Sequence, residues 1–77
     1  MPREATSADV VAEMVANVIK VVVAVGDAVA VGDTVVLLES MKMEIPVLAE
    51  QAGTVAAVKV GEGDVVQEGD VLVTISL

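Results

Sequence analysis

Neither cysteine nor histidine occurs in this chain of 77 residues, and phenylalanine, tyrosine and tryptophan are missing as well. Without cysteine there is no disulfide framework, no thiolate metal site and no thiol nucleophile, so packing and turns alone must hold the fold. Without histidine the usual base and metal ligand of neutral pH is gone too. Serine triads and zinc sites of the usual kind are therefore excluded, and neither catalytic residues nor a metal site is expected. Basic residues are also few, four against twelve acids, for a net charge of −8. Arg3, Lys20, Lys42 and Lys59 are scattered, so no basic face is available to neutralise phosphates, and nucleic acid and anionic membrane are not expected as partners. Long apolar runs are lacking despite a positive mean hydropathy. The longest uncharged stretch, Gln51 to Val58, falls far short of the roughly 18 residues needed to span a bilayer. The opening MPREATSADVV carries an acid at Glu4 and no apolar segment of the signal-peptide kind. A cytoplasmic protein is expected.

What the chain has is valine, twenty copies in all. Valine is stiff at χ1 and packs well on a pleated surface, which favours strands. A chain of this length makes one domain near the lower limit of independent folding, burying only about 60% of its unfolded surface. It leaves no room for an active-site cleft of normal size.

The chain is also an internal repeat. Shifted by 37 positions, Val25 to Asp33 (VGDAVAVGD) falls on Glu62 to Asp70 (EGDVVQEGD), with five identities in nine positions. The register continues outward, since Ala12 and Glu13 meet Ala49 and Glu50, Val18 meets Val55, Val21 meets Val58 and Val36 meets Val73. Gly-Asp pairs mark common turns, which explains each pair but not their equal spacing. In each turn glycine supplies a positive φ and the aspartate can bond nearby backbone. The intervening runs are short and β-branched, as strands are, giving four per half with the third very short.

One segment points the other way, because Val10, Val11, Met14, Val15, Val18, Ile19, Val22 and Val23 form a helical apolar stripe. The repeat decides against a helix, since its second copy, AGTVAAVKV, reads as a strand. Residues 10 to 25 are thus expected to form two short strands with a turn near Ala16 and Asn17. The whole is an all-β fold, a flattened eight-stranded antiparallel barrel or sandwich of two four-stranded sheets with pseudo-two-fold symmetry. Residues 1–9 are expected to be a flexible tail and residues 10–77 the domain. The junction of the halves is Ser40 to Met43, which puts Lys42 on a hairpin tip far from both chain ends.

That junction reads ESMKME, Glu39 to Glu44, and centred in this repeat it closely resembles the attachment domain of biotin carboxyl carrier proteins and biotin-dependent carboxylases, whose signature is Met-Lys-Met preceded by Ala or Ser and by an acid. The resemblance runs from about Val10 to Leu77 and includes the glycine of AGTV, Gly53. It departs from the family where a Pro-Met-Pro-Gly stretch is common: here Glu13 and Val15 stand at the prolines and Ala16 at the glycine. The equal lengths of Gly26 to Gly32 and Gly63 to Gly69 leave no space for the protruding thumb that some carriers have.

The resemblance implies that Lys42 is joined through its ε-amine to biotin by a biotin protein ligase. Met41 and Met43 would be the flanking residues the ligase favours, with methionine's adaptable contacts suiting that surface. Glu39, Ser40 and Glu44 would contribute to the turn and to ligase recognition, the two glutamates also as cross-strand partners holding the hairpin in register. Met14 reads as ordinary core or edge packing. The chain would be a non-catalytic carrier, a monomer in isolation, moving a carboxyl group between the biotin carboxylase and carboxyltransferase components of a carboxylase, most naturally of the acyl-CoA type. The alternative is a lipoyl carrier of a 2-oxo acid dehydrogenase or glycine cleavage system, which has a similar fold but usually an acid before the lysine and alanine after it. An unmodified adaptor built on the same half-barrel generally lacks a lysine at this turn.

Overall fold

The computed structural model describes residues 6–77, and eight strands make up its regular structure. They are β1 (Ser7–Val11), β2 (Ala16–Val21), β3 (Ala28–Val29), β4 (Thr34–Ser40), β5 (Met43–Leu48), β6 (Gly53–Val58), β7 (Val65–Val66) and β8 (Val71–Ser76). One sheet runs β1-β8-β6-β3 and the other β5-β4-β2-β7, all antiparallel. Adding 37 to any strand of the first half gives its counterpart in the second, and the same operation turns one sheet's order into the other's. The expected all-β architecture with pseudo-two-fold symmetry is what the chain adopts. The outer strands β1 and β5 are not paired with each other, so the shape is a flattened sandwich rather than a closed barrel.

The two halves are tied by reciprocal backbone bonds. Gly26 N–H donates to Val55 C=O and Gly63 N–H to Val18 C=O, each 2.8 Å. Gly32 N–H donates to Ala49 C=O and Gly69 N–H to Ala12 C=O, again at 2.8 Å. Every one of these bonds joins one repeat to the other, so neither half can complete its turns alone. The four Gly-Asp turns are alike: φ at each glycine lies between 91° and 96°, the positive value required at the third residue of a type II turn. The aspartate that follows accepts from the N–H three residues back, as in Ala24 to Asp27 Oδ2 at 2.9 Å and Gly61 to Asp64 Oδ2 at 2.8 Å.

The core is built of symmetry mates: Val18 and Val55, Val29 and Val66, Val35 and Leu72, Val36 and Val73, Leu38 and Ile75, Ala12 and Ala49 are all buried. Consecutive residues Val35 and Val36 both face inward, as do Leu72 and Val73, which a regular strand forbids. Register shifts explain it, since the β4–β5 pairing skips Val35 and the β1–β8 pairing skips Leu72. Each bulge twists its strand so that two neighbours enter the core.

Two expectations are corrected. The chain reverses at Glu13–Val15, not at Ala16 and Asn17, which already belong to β2 and pair with Val66 and Val65 of β7. That partner comes from the other half of the chain and leaves no local sign. The domain also begins earlier than residue 10, because Ser7, Ala8 and Asp9 pair with Ser76, Ile75 and Thr74 of β8. Asp9 further accepts a 2.9 Å bond from the Thr74 hydroxyl. Residues 1–5 of the expected tail lie outside the described residues.

Candidate functional site

Strands β4 and β5 form a hairpin whose loop is two residues long, Met41 and Lys42, closed by the pair Ser40 and Met43. A two-residue loop that matches the right-handed twist of its strands needs positive φ at both central positions, which is why Asn-Gly is the usual occupant. Met41 and Lys42 take φ of 53° and 63°, and among the described residues they are the two non-glycine positions with positive φ. Left-handed backbone costs an ordinary residue about 1–2 kcal/mol. The chain thus keeps two unsuited side chains at a strained turn, and such strain marks functional positions. Met41→Asn with Lys42→Gly is expected to raise the melting temperature, by roughly 4–8 °C for each kcal/mol relieved. Thermal unfolding checks it, and an unchanged midpoint would mean the turn stores no strain.

The repeat explains why the lysine sits where it does. Ser40 and Met43 correspond to Leu77 and Thr6, and Leu77 N–H donates to Thr6 C=O at 2.9 Å. Thr6 and Leu77 therefore occupy in one sheet the place that Met43 and Ser40 occupy in the other. The Met41–Lys42 turn is the covalent link between the repeats.

All of the expected site residues lie on this hairpin. Met41 is 91% exposed and Met43 62%. Neither serves the core. Lys42, Glu39 and Glu44 are exposed and Ser40 is half-buried. Glu39 stands directly opposite Glu44, and like charges in that position repel. The glutamates are cross-strand partners as expected, but being alike in charge they do not hold the register by attraction. What they create is a negative collar beneath the lysine.

Sequence reasoning missed three neighbours. Val15, Asn17 and Val65 share with Lys42 a shallow depression of about 280 Å³ beside the turn. Their signal was present as mismatches in the repeat, since their counterparts are Ala52, Thr54 and Ala28. Met14, in the bend before β2, is 39% exposed and borders the groove between β1 and β5.

A family model described as "Biotin-requiring enzyme" matches residues 4–75. The chain belongs to the biotin-lipoyl attachment family. Biotin is the cofactor of this domain, and a primary amine raised on an exposed two-residue turn is chemistry that fits an amide-linked carboxylic acid. A "Biotinylated protein TB7.3 homolog" of Mycolicibacterium smegmatis is 70% identical over 40 residues, 52% of this chain and 56% of that protein. The chain thus matches only about half the length of this curated relative. Among solved structures, a single-chain, multi-domain long-chain acyl-CoA carboxylase superposes with a TM-score of 0.87 at 28% identity, covering 99% of this chain and 8% of that one. The Kluyveromyces lactis urea carboxylase gives 0.86 at 33% identity, covering 97% and 7%. The lipoyl domain of the Azotobacter vinelandii 2-oxoglutarate dehydrogenase complex gives 0.70 at 30% identity, covering 82% and 80%.

Proposed function

We propose that this domain carries biotin as an amide on Nζ of Lys42, placed there by a biotin protein ligase, and that it serves a biotin-dependent carboxylase of the acyl-CoA type as a non-catalytic carrier. The observation that carries this reading is the strained, exposed Met41–Lys42 turn at the one link between the repeats. A lysine ammonium is a poor nucleophile at neutral pH. The acyl group must therefore arrive activated, and the base that takes the ammonium proton must come from the ligase, for this chain has no histidine. Once deprotonated, the amine of Lys42 attacks the activated carboxyl carbon, the C–N bond forms and the activating group departs.

The domain contributes access and rigidity. A two-residue turn backed by Val36, Leu38 and their neighbours holds the Lys42 backbone still, so the searching freedom lies in the side chain and its attached arm. When bound, biotin supplies a ureido nitrogen that accepts and gives up a carboxyl group. The protein's part is to position it, and the tether makes each encounter effectively intramolecular.

Met41 and Met43 favour biotin over lipoate in this reading, since they stand where lipoyl domains usually have an acid and an alanine, and both are exposed to a ligase. The double substitution Met41→Glu with Met43→Ala is expected to lower the rate of biotin transfer at least tenfold while the circular dichroism and melting point stay unchanged. Parallel assays with a lipoate ligase separate the two carrier readings. Undiminished biotin transfer to the double variant, or faster lipoate than biotin transfer to the wild type, would overturn the choice of biotin.

A further inference from the structure

The internal repeat provides a control for the surface around the lysine, because Val15, Asn17 and Val65 each have a counterpart at the opposite end of the sandwich. At that opposite end the fold is satisfied by Ala52, Thr54 and Ala28. At the lysine end the same positions hold Val15, Asn17 and Val65, and the two valines are 63% and 66% exposed. Exposed valine contributes little to packing and leaves apolar surface in water. The larger side chains are therefore not required by the sandwich. They line, with Ala16, Glu39, Ser40, Met41 and Lys42, the depression of about 280 Å³ next to the turn.

From this we infer a resting cradle for the biotin ring on the carrier itself, formed by Val15, Val65 and Asn17. The inference rests on the attachment proposed above. The occupant is the group tethered to Lys42, because Lys42 lines the same depression and its arm keeps the ring at an effective concentration on the order of millimolar. Val15 and Val65 would cover the apolar, sulfur-bearing side of the bicycle. Asn17 supplies what the ureido edge needs: its amide carbonyl accepts from a ureido N–H while its amide N–H donates to the ureido oxygen. A threonine hydroxyl, as at Thr54, has a single oxygen for both bonds, where the amide offers two separate atoms spaced like the ureido edge. No such complement exists for a dithiolane ring, so the cradle selects biotin's chemistry. The chain lacks a thumb, and the cradle takes the role of holding the ring on the carrier between partners. Its effect on a partner is a population tax, since only the fraction of rings that has left the cradle can be captured.

The test uses the intact domain with valine methyl groups labelled, before and after loading by a biotin protein ligase with biotin and ATP. Intact mass establishes loading first. In the loaded protein, nuclear Overhauser contacts are expected between the biotin ring and the methyls of Val15 and Val65, together with shifted Asn17 side-chain amide signals. The methyls of Val22 and Val31 should be unaffected. The triple variant Val15→Ala, Asn17→Thr, Val65→Ala, which copies the opposite end of the same fold, is expected to lose those contacts and leave the ring mobile. A loaded protein whose Val15 and Val65 signals match the unloaded one overturns the cradle alone. The same holds if the triple variant slows only the ligase, which would make these valines an enzyme contact. A mass without the biotinoyl increment overturns the attachment reading and the cradle with it.

Discussion

Lys42→Arg is expected to abolish biotin incorporation completely while leaving the fold intact. Arginine keeps the positive charge and a long side chain, so it preserves whatever the cation contributes to the collar of Glu39 and Glu44. The guanidinium stays protonated at every accessible pH and cannot act as the acyl acceptor. Lys20 and Lys59 provide an internal comparison, for both are exposed. Lys20 lies within β2, and Lys59 follows β6 and donates its backbone N–H to Leu72 C=O. Neither is raised on a two-residue turn, so neither is expected to take up the label. Loading should therefore fall below detection rather than by a modest factor, with a melting point within a degree or two of wild type. Residual loading of the variant would mean that a second lysine is accepted and that the turn is not what selects the site.

The largest expected effect on stability belongs to Gly53. A Cβ there would fall on the Ser76 carbonyl oxygen and stand 2.7 Å from Cγ2 of Ile75. The obstacle is mostly backbone of β8, an inner strand paired with both β1 and β6, so it cannot swing aside as a flexible side chain would. Gly53→Ala must push β6 from β8 where Thr54 pairs with Ser76. Overpacking of this kind costs about 3 kcal/mol, a large share of the few kcal/mol that hold a small domain together. The melting temperature should fall by roughly 10–25 °C. The mate of Gly53 in the first half is Ala16, which is buried without difficulty, so the lysine end of the sandwich accepts a methyl that the opposite end refuses. Ala16→Gly is accordingly the mild partner of the comparison, and equal effects of the two substitutions would show that the halves pack alike at this point.

The 37-residue offset made the architecture readable because it is repeated at every level. The Gly-Asp turns, the two-residue strands β3 and β7 and the bulges at Val35 and Leu72 all recur at that spacing. It also disposed of the helical stripe around Val10 to Val23, since a stretch that must match AGTVAAVKV cannot be helical in one copy only. The hairpin turn at Met41 and Lys42 was legible for the same reason, as the link between copies. Features set by distant partners were not. Ala16 and Asn17 are extended because Val65 and Val66 arrive beside them from the other half. Ser7 to Asp9 are polar enough to pass for a tail, and their alternation of exposed and half-buried positions makes sense only against β8. The opposition of Glu39 and Glu44 depends on the loop being two residues long, which a hairpin tip placed at Ser40 to Met43 did not specify.

Lys42 is proposed to be the one residue modified, and the modification to be biotin. Intact mass of the protein purified from its native host, followed by fragment sequencing of the peptide that contains Glu39 to Glu44, tests it most directly. A single biotinoyl increment is expected on Lys42, with Lys20 and Lys59 unmodified. A lipoyl increment, an unmodified chain, or biotin on another lysine would contradict it.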